Sequence, residues 1–554
     1  MKDQGTEAKS RVISIKIDSK TILVAIAVAT IILGGAALRV HTLGDTPYPY
    51  ILDGLTESRY AEHIADTGRL TPESGSSYNT SHTTTTAAFD IFLAETSLFE
   101  GESALFLIQK LIAPFAVFML LGVFVLARKL SGNVRASLIA LMGTASFGSF
   151  VLVTQGSWKE CIGISFLPVL FVTFMLRKDP RMRGVSTVLL FSLPFVHHLI
   201  ALVAMLSLAG YTAIRIAMLR KEGGIDSIGI IDVLIIVAAS GAMSLYYIFE
   251  QFDRLDYLSP DNGLYLFFGL AVMIAIGAYY VSSRPLTLMG RRVLGAVTSA
   301  GAMLVIAMNI ISPVGMIETN AFWALSLPLF AAVAVAIAGI CGISLWTGTT
   351  GDSKVLFIAI LSGPLIVVVY GLLRAGDLLS FDIVTRTTDL FDIGLLIGLG
   401  AWIAYVSRDK SWKKCAFIAI ALCAALLLTL PIAIDSEKYV GTRNDIYPYE
   451  VNAIEWAINR SVNPSIDTDL HYGNVGVLFD KALDEKLVRR FEGTISFHSG
   501  MTMIANQRWV DIGVKDIPYG WVKVDLEMFN SELERSNVVY LGGPQGSQIF
   551  VFYN

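Results

Sequence analysis

The chain has 554 residues, of which 54% are hydrophobic and only 16% charged, with a mean hydropathy of +0.62. Soluble domains carry about 25% charge, and disordered chains are poor in apolar residues, so both classes are excluded. The net charge of −4, with no long basic run, argues against a nucleic-acid partner.

A helix needs about 20 mostly apolar residues to cross a bilayer. The first such stretch runs from Thr21 to Leu38. Others centre near Ala116, Gly143, Pro168, Ser192, Met205, Ala238, Val272, Leu304, Ala331, Ile366, Gly398 and Leu426. The expected fold is a polytopic α-helical membrane protein of about thirteen spans in the cell membrane. The first stretch reads as a retained anchor and not as a cleaved signal peptide. The apolar run 184–219 is too long for one span and short for two, and it holds Pro194 and the pair His197-His198. Imidazoles are costly against lipid, so a tight hairpin with its apex at the histidines is expected, one of its two spans being short.

Basic residues orient these spans. Arg128, Lys129 and Arg135 follow the second, Arg177, Lys178, Arg181 and Arg183 the fourth, and Arg220 and Lys221 the sixth. Arg284, Arg291 and Arg292 follow the eighth, and Arg408, Lys410, Lys413 and Lys414 the twelfth. All fall on one side when the histidine hairpin counts as two spans. The N-terminus is then cytoplasmic and the C-terminus outside. The few charges within apolar stretches, Lys110, Arg215 and Asp232, lie toward span ends, where snorkelling is expected.

The expected domains are a transmembrane module, 1–434, with a large external loop at 39–103, and an external α/β domain, 435–554. In the tail, Val451, Ile454 and Ile458 recur at helical spacing around Trp456. Asn474 to Phe479 reads as a β-rich run. Asn537 to Tyr540 and Gln548 to Tyr553 flank a glycine-rich turn and read as a hairpin. Cys161, Cys341, Cys415 and Cys423 all sit in apolar stretches with no C-x-x-C pair, so they read as core residues and no zinc site or disulfide framework is expected.

The basic loops carry no phosphate-binding glycine motif. Polar candidates collect on the external side instead. In the first loop, Leu55 to Asp66 is expected to be a helix ended by Gly68, with Asp53 at its entrance. Asp53 and Glu57, four apart, share a face if the first turn is regular. The plainer reading makes Asp53 an N-cap and Glu57 a solvated first-turn acid. A Ser/Thr-rich loop containing His82 follows. Lys159, beside Trp158 and Glu160, lies between the third and fourth spans. His197 and His198, Arg254, Glu318 and Arg386 fall in other external connections. Each alone reads as a solvated loop residue. Together they would border one external cavity.

The first span ends Leu38-Arg39-Val40-His41-Thr42-Leu43-Gly44, followed by Asp53, an amphipathic helix and the turn at Gly68. This opening, with the N-in, C-out topology, the long first loop and the external tail, resembles the GT-C superfamily of membrane glycosyltransferases. That superfamily includes aminoarabinose transferases, protein O-mannosyltransferases and the catalytic oligosaccharyltransferase subunit. His197-His198 followed by Leu199-Ile200-Ala201-Leu202 is similar to archaeal members. The resemblance implies sugar transfer from a polyprenyl-phosphate donor, with Asp53 as the acidic residue of the first loop and Glu57 as a second. The sequence departs from the O-mannosyltransferases, which carry adjacent Asp and Glu, because Gly54 follows Asp53. It also lacks the Trp-Trp-Asp-Tyr-Gly motif of oligosaccharyltransferases and offers only Tyr447-Pro448-Tyr449-Glu450.

The expected enzyme is an inverting hexosyltransferase, with Asp53 and Glu57 catalytic. His82, Lys159, His197, His198, Arg254, Glu318 and Arg386 are the candidates for substrate and phosphate binding. A glycan, protein or lipid would be the acceptor. Asp53, Glu57 and Glu318 offer oxygen ligands for magnesium or manganese, but no obligatory metal is expected. The competing reading is a transporter or lipid flippase, which the lack of a detectable internal repeat disfavours. A third is an envelope scaffold.

Overall fold

The computed structural model describes residues 18–41, 46–72, 84–222, 224, 227–250, 263–283, 351–373, 378–408, 411–434, 444–461, 465–497, 500–516 and 520–553. Helix α1 (Ser19–Arg39) starts at Asp18, whose carboxylate accepts the Thr21 N–H at 2.8 Å. Three short helices follow: α2 (Asp53–Thr67), α3 (Ala88–Glu100) and α4 (Ala104–Lys110). Then come α5 (Ile112–Ser131), α6 (Val134–Ser146), α7 (Gly148–Thr154), α8 (Lys159–Met175), α9 (Pro180–Val196) and α10 (His198–Glu222). The bundle continues with α11 (Ser227–Phe249), α12 (Gly263–Ser283), α13 (Gly351–Leu373), α14 (Leu378–Val406) and α15 (Trp412–Thr429).

Eleven of the expected span centres fall on these helices; those near 304 and 331 lie outside the described residues. Seven helices among the described residues are long and apolar enough to cross a membrane. The pair α6–α7, bent by 64°, meets the same test when its two helices are taken together, as a broken span or a re-entrant loop. This is a multi-pass membrane protein.

Local chemistry sets the breaks. Gly132, at φ 64°, ends α5, and Asn133 then caps α6 by accepting the Arg135 N–H at 2.8 Å. The α9–α10 break falls at His197, whose backbone is extended (φ −160°, ψ 121°), as the hairpin reading expects. Helices pack closely where glycine allows it. A Cβ on Gly400 of α14 would run into the backbone of Ala136 on α6.

The intramembrane charges differ from expectation. Lys110 is exposed, with its ammonium over the Phe106 ring, but Arg215 and Asp232 do not snorkel. Asp232 is buried and pairs with Arg177 at 2.6 Å, while Arg177 also donates to the Tyr211 hydroxyl at 2.8 Å. Arg215 lies 3.5 Å from Asp352. Removing either partner of the buried Arg177–Asp232 pair strands a charge, so this pair and the Tyr211 hydroxyl hold the end of α8 to α10 and α11.

Residues after 444 build a four-stranded sheet. Its strands are β1 (Ile466–Asp467), β2 (Thr502–Asn506), β5 (Asn537–Gly542) and β6 (Ile549–Tyr553), in the order β1-β2-β6-β5; β3 (Val514–Asp516) and β4 (Gly520–Val522) pair separately. Strand β1 runs parallel to β2, and the other pairs are antiparallel. The expected hairpin is β5–β6, and the expected helix spans Pro448–Arg460 with Val451 and Ile454 buried. The expected β run at 474–479 is instead helical: a helix over Leu470–Val475 continues as a 3-10 turn over Gly476–Phe479. The cause is Asp469, whose carboxylate caps this helix through the Tyr472 N–H at 2.8 Å.

The core of this α/β unit includes Leu55 of α2. Burying that side chain contributes about 2 kcal/mol. Arg59 of α2 adds an ion pair to Asp480 at 2.5 Å, so this α/β unit packs on the helix that Asp53 opens.

Candidate active site

Three chain segments cross where α2 begins. The Ile51 N–H donates to the Asn444 carbonyl at 3.1 Å, and the Ser157 N–H donates to the Tyr50 carbonyl at 3.0 Å. Gly54 lies so close to Ser157 that a Cβ would sit 2.6 Å from its carbonyl oxygen. Ile51 itself has φ 81°, a strained backbone for a β-branched residue that persists only where its surroundings over-determine it. Asp53 follows as the first residue of α2 and is half-buried. It is not the N-cap: Leu52 holds that position and makes no side-chain cap bond. Gly68 ends the helix at φ 68°, as expected.

Glu57, one turn further on, is not a solvated acid. It is 5% exposed, and one oxygen accepts the Lys159 backbone N–H at 3.2 Å. The other oxygen, Oε2, is buried with no hydrogen-bond partner among the described residues. Lys159 turns its ammonium the other way, to Asp90 of α3 at 2.6 Å and the Thr86 hydroxyl at 3.3 Å. Burial holds the Glu57 carboxyl well above its ordinary range; the Lys159 charge opposes this, and the Asp90 and Asp53 charges add to it. Burial also raises Asp90, to about 6, against the pull of Lys159. The Lys159 ammonium pairs with Asp90, and the Glu57 carboxyl, held by the Lys159 backbone, feels its charge as well.

Glu160, the next residue, faces a second group. It is buried, 3.6 Å from an Arg386 nitrogen and 4.0 Å from His197 Nε2. The His197 and His198 rings stack at 4.8 Å, and the Arg386 guanidinium lies 5.0 Å from the centre of the Trp158 ring. On the same helix as Arg386, Asp392 accepts the Ser149 hydroxyl at 3.0 Å.

Asp53, Glu57 and Lys159 therefore lie together, and His197 and Arg386 meet at Glu160, with His198 stacked on His197. His82, Arg254 and Glu318 lie outside the described residues. Asp90 is not among the site residues expected from the sequence, and Glu160 enters there only as a neighbour of Lys159. The available signal for Asp90 was its position, a lone charge within the apolar run Ala88-Phe89-Asp90-Ile91-Phe92-Leu93. Among the described residues, no three His, Cys, Asp or Glu side chains are placed to hold a metal ion, and Lys159 already balances Asp90. The described carboxyls do not form a divalent-cation cradle.

No family model and no curated protein matches the sequence. Solved structures do match its fold. The archaeal oligosaccharyltransferase AglB from Archaeoglobus fulgidus, in complex with an inhibitory peptide and a dolichol-phosphate, aligns over 96% of this chain and 74% of its own, with a TM-score of 0.55 and 11% identity. The same enzyme in its apo form aligns over 97% and 75%, with a TM-score of 0.53 and 11% identity. The mycobacterial arabinofuranosyltransferase AftD aligns over 96% of this chain but only 40% of its own, with a TM-score of 0.50 and 12% identity. These neighbours are GT-C superfamily membrane glycosyltransferases, and the fold of the present chain is theirs.

Proposed function

We propose that the chain is a membrane glycosyltransferase. In this reading it moves a hexose from a polyprenyl-phosphate donor to a glycan, protein or lipid acceptor at the outer face of the membrane. The observation that carries the reading is the placement, on a GT-C fold, of half-buried Asp53 beside buried Glu57, with Arg386 and His197 at Glu160. The dolichol-phosphate held by AglB supports a lipid-linked donor. The basic loops support an orientation with the N-terminus cytoplasmic and the tail domain outside.

The chemistry needs a base, because an acceptor hydroxyl is a poor nucleophile until it loses its proton. Asp53 takes that proton. The acceptor oxygen then bonds to the anomeric carbon, the bond from that carbon to the phosphate oxygen breaks, and the electron pair leaves with the phosphate. Arg386 and the imidazoles of His197 and His198 face the growing negative charge. Glu57 keeps its proton and so avoids placing a second anion beside Asp53, a division of labour between neighbouring carboxyls. Lys159 acts inside the cluster through Asp90 and the Glu57 contact. Single displacement inverts the anomeric centre.

The test is transfer by the full chain in proteoliposomes supplied with labelled polyprenyl-phosphate hexoses and membrane-extract acceptors. Product anomers are assigned by NMR. An inverted product supports the reading, and a retained one contradicts single displacement.

A further inference from the structure

Helix α7 has only 7 residues, yet it delivers the chain to Gly156-Ser157-Trp158-Lys159-Glu160, which carries two of the buried site residues. Its direction is set at a break in helical hydrogen bonding. The backbone of Phe147 is extended (φ −74°, ψ 116°), and the chain bends there by 64°. In a continuous helix the Gly148 N–H would donate to the Thr144 carbonyl. Here it donates to the Thr429 hydroxyl of α15 at 2.8 Å. The last carbonyls of α6 therefore need other partners.

Arg39, the last residue of α1, supplies them. Its side chain is fully buried. Nη2 donates to the Thr144 carbonyl at 2.9 Å, and Nη1 donates to the carbonyls of Ala145 at 3.2 Å and Gly35 at 2.9 Å. Nε donates to the Thr154 hydroxyl, at the end of α7, at 2.7 Å. No carboxylate pairs with Arg39 among the described residues. The negative end of the α6 dipole faces the guanidinium instead. Gly35 allows this close approach of α1, since a Cβ there would sit 2.8 Å from the Ala145 Cβ.

The end of α7 is tied in turn to the site. The Trp158 indole N–H donates to the Val153 carbonyl at 3.1 Å, and the Cys161 thiol donates to the Thr154 carbonyl at 3.1 Å. Gly156 leaves room for the Ile51 side chain, and the Ser157 N–H holds the Tyr50 carbonyl, so the approach to Asp53 rests on the same turn.

We propose that Arg39 is a positioning residue. Its guanidinium bridges the broken end of α6 to the end of α7, and so sets the place of segment 157–160 and of the Asp53 entrance packed on it. Lysine cannot substitute, because an ammonium is a point charge with three donors and lacks the planar fork that reaches both helix ends. The bridge rests on this geometry alone; its effect on transfer rests on the glycosyltransferase reading.

Cys161 reports the bridge, because its buried thiol is held by Thr154. The full chain, with Cys341, Cys415 and Cys423 replaced by Ser, is reconstituted in liposomes and labelled with N-ethylmaleimide. The variants are Arg39→Lys, Thr154→Val and the conservative Thr154→Ser. A second set carries Cys161→Ser and Ala204→Cys, a buried control on α10. Labelling at 161 should rise at least about tenfold in Arg39→Lys and Thr154→Val, stay near wild type in Thr154→Ser, and not change at 204. The kcat for transfer should fall about 10- to 100-fold in the first two and recover in Thr154→Ser. Unchanged labelling at 161 in either of the first two variants, or an equal rise at 204, overturns the bridge. A wild-type kcat in a variant whose Cys161 has become reactive overturns the positioning role. Absence of transfer by the wild type contradicts the enzyme reading, and the labelling rates still decide the bridge.

Discussion

Asp90 and Lys159 meet at 2.6 Å between α3 and α8, and neither side chain reaches solvent. The backbone of Lys159 also donates to Glu57, so one residue ties the first-loop acids to the start of α8. Breaking such a buried pair from one side typically costs about 3–5 kcal/mol. Lys159→Met should lower the thermal unfolding temperature in detergent sharply. Adding Asp90→Asn to that variant should restore part of the loss, because the stranded charge is gone. A double variant less stable than the single one would show that the pair is not what holds the two helices.

Glu57 predicts a pH dependence. Burial raises its carboxyl well above the ordinary 4.5 of an unfolded chain. The folded state then keeps a proton that the unfolded state releases, so this group's contribution to stability falls as pH rises from 4.5 toward the folded value. Glu57→Gln is neutral at every pH and removes that fall. The variant should gain stability on the wild type as pH is raised and keep transfer within about threefold at neutral pH. Parallel melting curves, or loss of transfer as severe as for a base, would contradict a protonated Glu57.

Gly54→Ala tests the crossing at the start of α2. The added methyl meets the Ser157 carbonyl at 2.6 Å and Pro49 at 2.9 Å, so the helix entrance must shift. A displacement near 1 Å at a reacting group costs about 100-fold in rate. Transfer should fall by that order, with a smaller effect on the KM for donor. An unchanged kcat would show that Asp53 does not need this placement.

Arg386→Gln removes a cation from the Trp158–Glu160 side. Transfer should fall by about 100-fold or more, and Arg386→Lys should recover part of it. Equal loss in both variants would favour a role in which the guanidinium mainly packs on Trp158 and holds Glu160.

The span centres were legible because a run of apolar residues has few alternatives in a chain this poor in charge. The break at His197 followed from the cost of imidazole in lipid, and the helix around Trp456 followed from its period. Asn474 to Phe479 was misread because a short apolar run fits helix and strand equally, and the deciding cap, Asp469, stands before it. Asp90 was hidden for another reason. Among the ten acids of the loop 39–103 its apolar flanks set it apart, but its partner Lys159 is visible only in the folded chain. The same holds for Asp232, whose partner Arg177 lies in the turn after α8. Pairing across helices leaves no periodic trace in one sequence.

The central claim is that Asp53 takes the acceptor proton. The most direct measurement is the single-turnover rate of hexose transfer from labelled polyprenyl phosphate by the wild type and by Asp53→Asn, both reconstituted and shown to unfold at the same temperature. The account predicts a loss of about 100- to 10,000-fold in the variant with donor still bound. Transfer by Asp53→Asn at the wild-type rate would remove Asp53 from the chemistry.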